Sequence, residues 1–168
     1  MSSAPEHVAY CARCGTLMIT RLVSDKPRRA CPECGFIHYT DPKVGVGVVV
    51  MKGDRLLLVR RAMKPERGKW SLPAGYVDYG EDPKTVAVRE AWEETNLQVE
   101  IEQLIDVYHN NASQGGASIF ILYQAQLIGG TPQAGDDADD VGFFALDDLP
   151  EIAFASTKDV IARLQKRL

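Results

Sequence analysis

Glu90, Glu93 and Glu94 crowd into five positions of "GEDPKTVAVREAWEETNL", and Glu81 stands just ahead of them. On a helix, like charges three or four residues apart repel by a few tenths of a kcal/mol per pair. At about 100° per residue the three glutamates share a stripe about 100° wide, and no lysine lies among them. A solvated helix face would mix lysines with its acids. A carboxylate edge of one sign is instead neutralised by divalent cations. Oxygen-only ligands favour Mg²⁺ or Mn²⁺, which keep waters and bridge to substrate phosphates.

The second constellation is sulfur. Cys11 and Cys14 lie in "CARCG", Cys31 and Cys34 in "CPECG", with sixteen residues between the pairs. This spacing reads as a zinc site in which two knuckles supply a tetrahedral four-thiolate shell. A closed shell leaves no position for substrate, so the expected Zn²⁺ is structural. Two disulfides are the alternative, disfavoured without a secretory signal. His38 is surplus to four sulfurs. Arg21, Lys26, Arg28 and Arg29, between the knuckles, read as a solvated ribbon face, with phosphate contacts as the alternative.

These residues need elements to hold them. Asp82-Pro83 is an N-cap followed by a proline at the first helical position, and Asn96 suits a left-handed helix end. Val88, Ala91 and Trp92 fall broadly opposite the acids and are expected to face the core. "VGVGVVV" and "LLLVRR" read as strands joined by a Gly53-Asp54 turn, followed by a loop from Ala62 to Ala74. Gln98 to His109 and Ala117 to Leu127 read as further strands. "GGTPQAGDDADD" reads as an acidic loop and "VGFFAL" as a short strand. The last helix is expected behind a Ser156 cap, with Val160, Ile161, Leu164 and Leu168 on one face. The predicted organisation is a zinc ribbon over residues 1–40 and one α+β domain over residues 41–168.

Composition limits the partners. The 168 residues are 45% hydrophobic and 25% charged, with a formal net charge of −4. That balance gives no reason to expect a nucleic-acid or anionic-membrane partner. No apolar run approaches the roughly 20 residues of a membrane span. "MSSAPEHVAY" lacks the basic start and apolar core of a signal peptide, so the expected location is cytoplasmic.

Gly75, Glu81, Arg89, Glu90, Ala91, Glu93, Glu94 and Leu97 fall in register with G-x5-E-x7-R-E-U-x-E-E-x-G-U, where U is aliphatic. The stretch therefore resembles the Nudix box, and "GKWSLPAG" resembles the family's lead-in to it. Asn96 departs from the motif's glycine, which predicts a slightly weaker helix end with activity intact. The resemblance implies an α/β/α sandwich around a mixed sheet. It implies metal-dependent hydrolysis of a nucleoside diphosphate linked to another group. Glu90, Glu93 and Glu94 would be the Mg²⁺ or Mn²⁺ ligands, Glu81 would support them, and the Ala74 carbonyl would add a further ligand. With a zinc ribbon in front, the chain is similar to enzymes acting on FAD or ADP-ribose, which yield AMP plus FMN or ribose 5-phosphate, and between the two the resemblance alone favours FAD.

Within that resemblance, Glu94 is the first candidate base, with Glu93 and Arg89 completing the catalytic set. Relatives also draw the base from a loop, which makes Asp137, Asp139 and Asp140 the reserve. Arg89 precedes Glu93 by four and is expected to hold its carboxylate. Arg60 and Arg61 read as phosphate contacts or as a strand-end salt bridge. NADH pyrophosphatases, more distant relatives, carry an SQPW-type segment where this chain has Ser113-Gln114-Gly115-Gly116. Two glycines offer no ring for stacking, so NADH is expected to be a poor substrate. The rival class is a silent nucleotide-sensing domain with a partner-binding ribbon, but such a domain should have lost box glutamates and none is missing. A homodimer stays open.

Overall fold

In the computed structural model, which describes residues 8–110 and 118–166, the chain divides into two units, Met1–Asp41 and Pro42–Leu168. The first holds β1 (Ile19–Val23), β2 (Lys26–Ala30) and β3 (Ile37–His38), an antiparallel sheet in that order. Its two cysteine turns repeat one geometry. The Cys11 N–H donates to the Thr16 carbonyl and the Cys31 N–H to the Phe36 carbonyl, each at 2.8 Å. The N–H groups of Gly15 and Gly35 close back onto the Cys11 and Cys31 carbonyls. Both glycines take positive φ, 73° and 72°, a conformation that costs a Cβ-bearing residue about 1 kcal/mol or more. Cys11, Met18 and Cys31 form a small core with Val8 and Phe36 packed against it.

The second unit is built around β4 (Val44–Lys52), which turns at Gly53-Asp54 into β5 (Arg55–Arg61). Short strands β6 (Trp70–Ser71) and β7 (Ala74–Tyr76) follow, then α1 (Pro83–Thr95), β8 (Leu97–His109), β9 (Ile119–Gly130), β10 (Ala138–Ala145) and α2 (Ala155–Gln165). The main sheet runs β10-β5-β4-β9-β8, with β6 on β5 and β7 on β4. β4 and β9 are parallel and the other pairs antiparallel, so the sheet is mixed. Successive strand side chains point to opposite faces. Val46, Val48 and Val50 pack with Val86, Ala87 and Ala91 of α1, whereas Val49 packs with Val160 and Ile161 of α2. A near-continuous valine run is what a strand covered by helices on both sides requires. The result is an α/β/α sandwich.

Several expectations change. The stretch from Ala62 to Ala74 is not all loop, because β6 and the start of β7 lie in it. The acidic segment is shorter than expected: Gly129 and Gly130 belong to β9, and Ala138, Asp139 and Asp140 to β10. Ser156 is not a cap. It is buried inside α2, whose N-cap is Phe154 without a side-chain hydrogen bond. Trp92 is 54% exposed while Glu94 is buried, so the core face of α1 is rotated from the expected one. Leu168 and the Ser113–Gly116 segment lie outside the described residues. No helix among the described residues is long and apolar enough to cross a membrane.

Candidate active site and metal centres

The site is assembled where β7 meets α1. The Asp82 carboxylate accepts from the Thr85 N–H at 2.9 Å and Pro83 opens the helix, which sets its first turn. The helix ends at Asn96, with φ 56° and ψ 21°. Between these caps the helical spacing turns Glu90 and Glu94 toward β7. A Cβ on Gly75 would lie 2.0 Å from the Glu90 carboxyl carbon, so the carboxylate rests directly on bare backbone. The Ala74 N–H donates to Glu94 Oε2 at 2.9 Å.

Ladder geometry shows where the Ala74 carbonyl points. The Val48 N–H donates to the Pro73 carbonyl, and the Val77 N–H to the Val44 carbonyl. Ala74, opposite Gly47, is therefore in the non-hydrogen-bonded alternation, and both its polar groups face away from β4. Its N–H meets Glu94, and its carbonyl turns to the same side.

Electrostatics mark these two carboxyls. Burial raises Glu94 to about 8, opposed by the Ala74 N–H and reinforced by the charges of Glu90 and Asp137. Burial also raises Glu90, against the pull of Arg89 and with the charges of Glu93, Asp136 and Glu81 adding to it. Arg89 does not hold Glu93, contrary to expectation. Its Nη2 lies 3.3 Å from Glu90 Oε1 and 3.4 Å from Glu81 Oε1, bridging the loop acid to the helix acid. Glu81 also accepts from the Asp78 N–H at 2.9 Å.

The loop from Thr131 to Asp137 closes over the end of α1. The Gln133 N–H donates to the Thr95 carbonyl and the Gly135 N–H to the Glu94 carbonyl. An open pocket of about 460 Å³ lies between them, lined by Trp92, Glu93, Asn96, Gln133 and Asp136 among others. Of the box carboxylates only Glu93 reaches it. Asp136 is the acid that sequence reasoning passed over, although it stood in the same acidic run as the named aspartates. Asp139 and Asp140 are engaged elsewhere: Arg60 Nε lies 2.6 Å from Asp139 Oδ1, and its Nη1 3.6 Å from Asp140 Oδ2. Arg61 donates to the Pro65 carbonyl and stacks over Phe154. The salt-bridge reading of this pair thus holds for Arg60.

The sequence profile of the NUDIX domain matches residues 41–164. The chain belongs to the NUDIX family of hydrolases. It is 37% identical over 121 residues to an ADP-ribose pyrophosphatase of Methanocaldococcus jannaschii, covering 71% of this chain and 72% of that protein. It is 32% identical over 148 residues to an NAD-capped RNA hydrolase, NudC, of Stutzerimonas stutzeri. There the match covers 85% of this chain but 50% of the relative, so the chain spans half of that relative's length. The crystal structure of a NUDIX hydrolase from Nitrosomonas europaea superposes with a TM-score of 0.84 at 34% identity, covering 94% of this chain and 91% of the other.

NUDIX enzymes generally use divalent metals, and the donor set here fits one. The carboxylate cradled on Gly75 and the buried carboxyl on Ala74 are oxygen donors whose charge the protein leaves short of compensation. The sulfurs form a tighter set. Among the described residues, the ligand atoms of Cys11, Cys14, Cys31 and Cys34 all lie within 4.8 Å of one another, and the box glutamates make no such group. Cys14 is held down to about 6, chiefly by Thr16. Cys34 is pushed up to about 12 by desolvation and its neighbouring sulfurs, despite the Phe36 backbone bond. Four sulfurs this close resist ionising together, and a four-thiolate Zn²⁺ shell removes that conflict.

Proposed function

We propose that this NUDIX chain hydrolyses the pyrophosphate of an ADP-linked small molecule, ADP-ribose ahead of FAD, releasing AMP and ribose 5-phosphate or FMN. The observation that carries the reading is the pair of carboxyls anchored on consecutive backbone positions, Glu94 on the Ala74 N–H and Glu90 on Gly75. The identity to a relative named ADP-ribose pyrophosphatase supports the order of substrates. Glu90, Glu93, Glu94 and the Ala74 carbonyl would hold Mg²⁺ or Mn²⁺, with Glu81 fixed beside them through Arg89. When bound, the cation would neutralise phosphate charge and make an attacking water more acidic.

The chain's own part is positioning and proton transfer. Glu94 is the proposed base, because the Ala74 N–H fixes its carboxylate and Asp137 bears on its charge. Asp137, Asp139 and Asp140 remain the alternatives, and for the last two Arg60 would first have to release them. Cys11, Cys14, Cys31 and Cys34 are proposed to hold structural Zn²⁺. The deciding experiment incubates the protein and Mg²⁺ with ADP-ribose, FAD, NADH and nucleoside triphosphates and identifies products by chromatography. AMP with ribose 5-phosphate is expected. A kcat/KM for NADH about tenfold above both favoured substrates would overturn the substrate reading.

A further inference from the structure

Arg21 of β1 and Arg28 of β2 stand directly opposite each other. Like charges in that position destabilise an antiparallel pair. Cross-strand partners share a face, as do residues two apart along a strand. Lys26, opposite Val23, therefore joins them, and three cations line one face of a two-stranded ribbon. Among the described residues none of the three belongs to an ion pair. Arg28 lies 4.5 Å from the centre of the Tyr39 ring, which is itself 54% exposed.

Arg29 makes the contrast. It points to the other face and donates to the carbonyls of Val8 and Met18 and to the Thr20 hydroxyl. It holds the ribbon together, whereas among the described residues Arg21, Lys26 and Arg28 hold nothing acidic. Folding alone gives no reason to set two guanidiniums face to face in a unit this small.

Against the expectation drawn from the chain's net charge of −4, which averages over this local cluster, we propose that this face of the ribbon binds single-stranded nucleic acid. The three cations take successive backbone phosphates, and Tyr39, with a guanidinium already at its ring, supplies a surface on which an unpaired base stacks. The cross-strand repulsion is relieved when phosphates enter. A membrane surface is the weaker fit, since recognition of anionic lipid uses clusters of about 4–8 basic residues. The proposal is independent of the hydrolytic reading, because the face lies wholly in the Met1–Asp41 unit and asks nothing of the glutamates.

The test uses the full zinc-loaded chain and a fluorescent 5′-hydroxyl oligoribonucleotide of about 12 nucleotides, which has no pyrophosphate to cut. Binding is followed by anisotropy across a KCl series. Neutralising three phosphates of a single strand predicts a log–log salt slope of about −2. Arg21→Ala and Lys26→Ala should each shrink the slope by about 0.7 while zinc content stays unchanged. Arg21→Ala should also raise the ribbon's thermal midpoint, an effect a structural arginine would not give. Tyr39→Ala should weaken binding at constant slope. A slope near zero, wild-type binding by the Arg21→Ala/Lys26→Ala double variant, or tighter binding to duplex or to phosphatidylserine vesicles would overturn the proposal.

Discussion

Glu94 carries the most information per atom. A carboxyl whose folded pKa is about 8 binds its proton more firmly in the native state than in the unfolded chain. Its contribution to the stability of the metal-free protein should therefore be fully present below the ordinary glutamate range and be lost as pH rises to about 8, by on the order of a few kcal/mol. Chemical denaturation without divalent metal at about pH 5 and about pH 8.5 checks the sign, and Glu94→Gln should flatten the difference. The same substitution should lower kcat by about 10²–10⁴ with the fold intact, read by steady-state kinetics. Gly75→Ala should displace the Glu90 carboxylate, since the new methyl would occupy its place. A large loss of kcat with unchanged helix content by circular dichroism is expected. Box spacing made these glutamates visible in the sequence. The Arg89 bridge was not visible, because it depends on the loop bringing Glu81 back to the helix, a contact that i,i+4 arithmetic along one helix does not contain.

Elements were legible where local chemistry decides them. Asp82-Pro83 and Asn96 gave both ends of α1, because a cap is a property of a few adjacent residues. The β4–β5 hairpin followed from its Gly53-Asp54 turn for the same reason. β6 and β7 were hidden because two- and three-residue strands have too little periodicity and exist only by pairing with β5 and β4. Likewise Asp139 and Asp140 read as loop until β10 paired with β5, with Asp140 opposite Arg60 and Asp139 in the irregularity just before it. Asn96 shows how context alters a local rule. Glycine would relieve the left-handed strain there, but Asn96 Nδ2 also donates to the Thr131 carbonyl at 3.1 Å and so ties the acidic loop to the helix end. The two effects are each on the order of 1 kcal/mol and opposed. Asn96→Gly should therefore leave the unfolding midpoint nearly unchanged, and kcat with it.

The whole molecule carries two kinds of order, one supplied by a hydrophobic core and one by sulfur. Among its described residues the first unit's core cluster has three buried members, two of them cysteines, so under the proposed zinc reading its folding free energy would come largely from metal. Purified protein should contain about one Zn²⁺ per chain, and Cys31→Ser should abolish ribbon structure, checked by elemental analysis and by limited proteolysis within residues 1–41. The fold class was readable as a whole from the cysteine spacing and the box together, but the strand order was not, since no local signal pairs β4 with β9. That pairing joins Val44 to Ile119 and Val50 to Ala125, in parallel, at the centre of the sheet. The β4–β5 and β8–β9 hairpins and α1 close short loops, whereas β4 meets β9 only after the intervening chain has been drawn together. Assembly speed should then be governed by that one late encounter, and shortening Val48 or Leu122 should slow refolding more than trimming the solvent side of α1 does. The strand at the centre of the sheet is thus also the one that sets the tempo at which the protein comes into being.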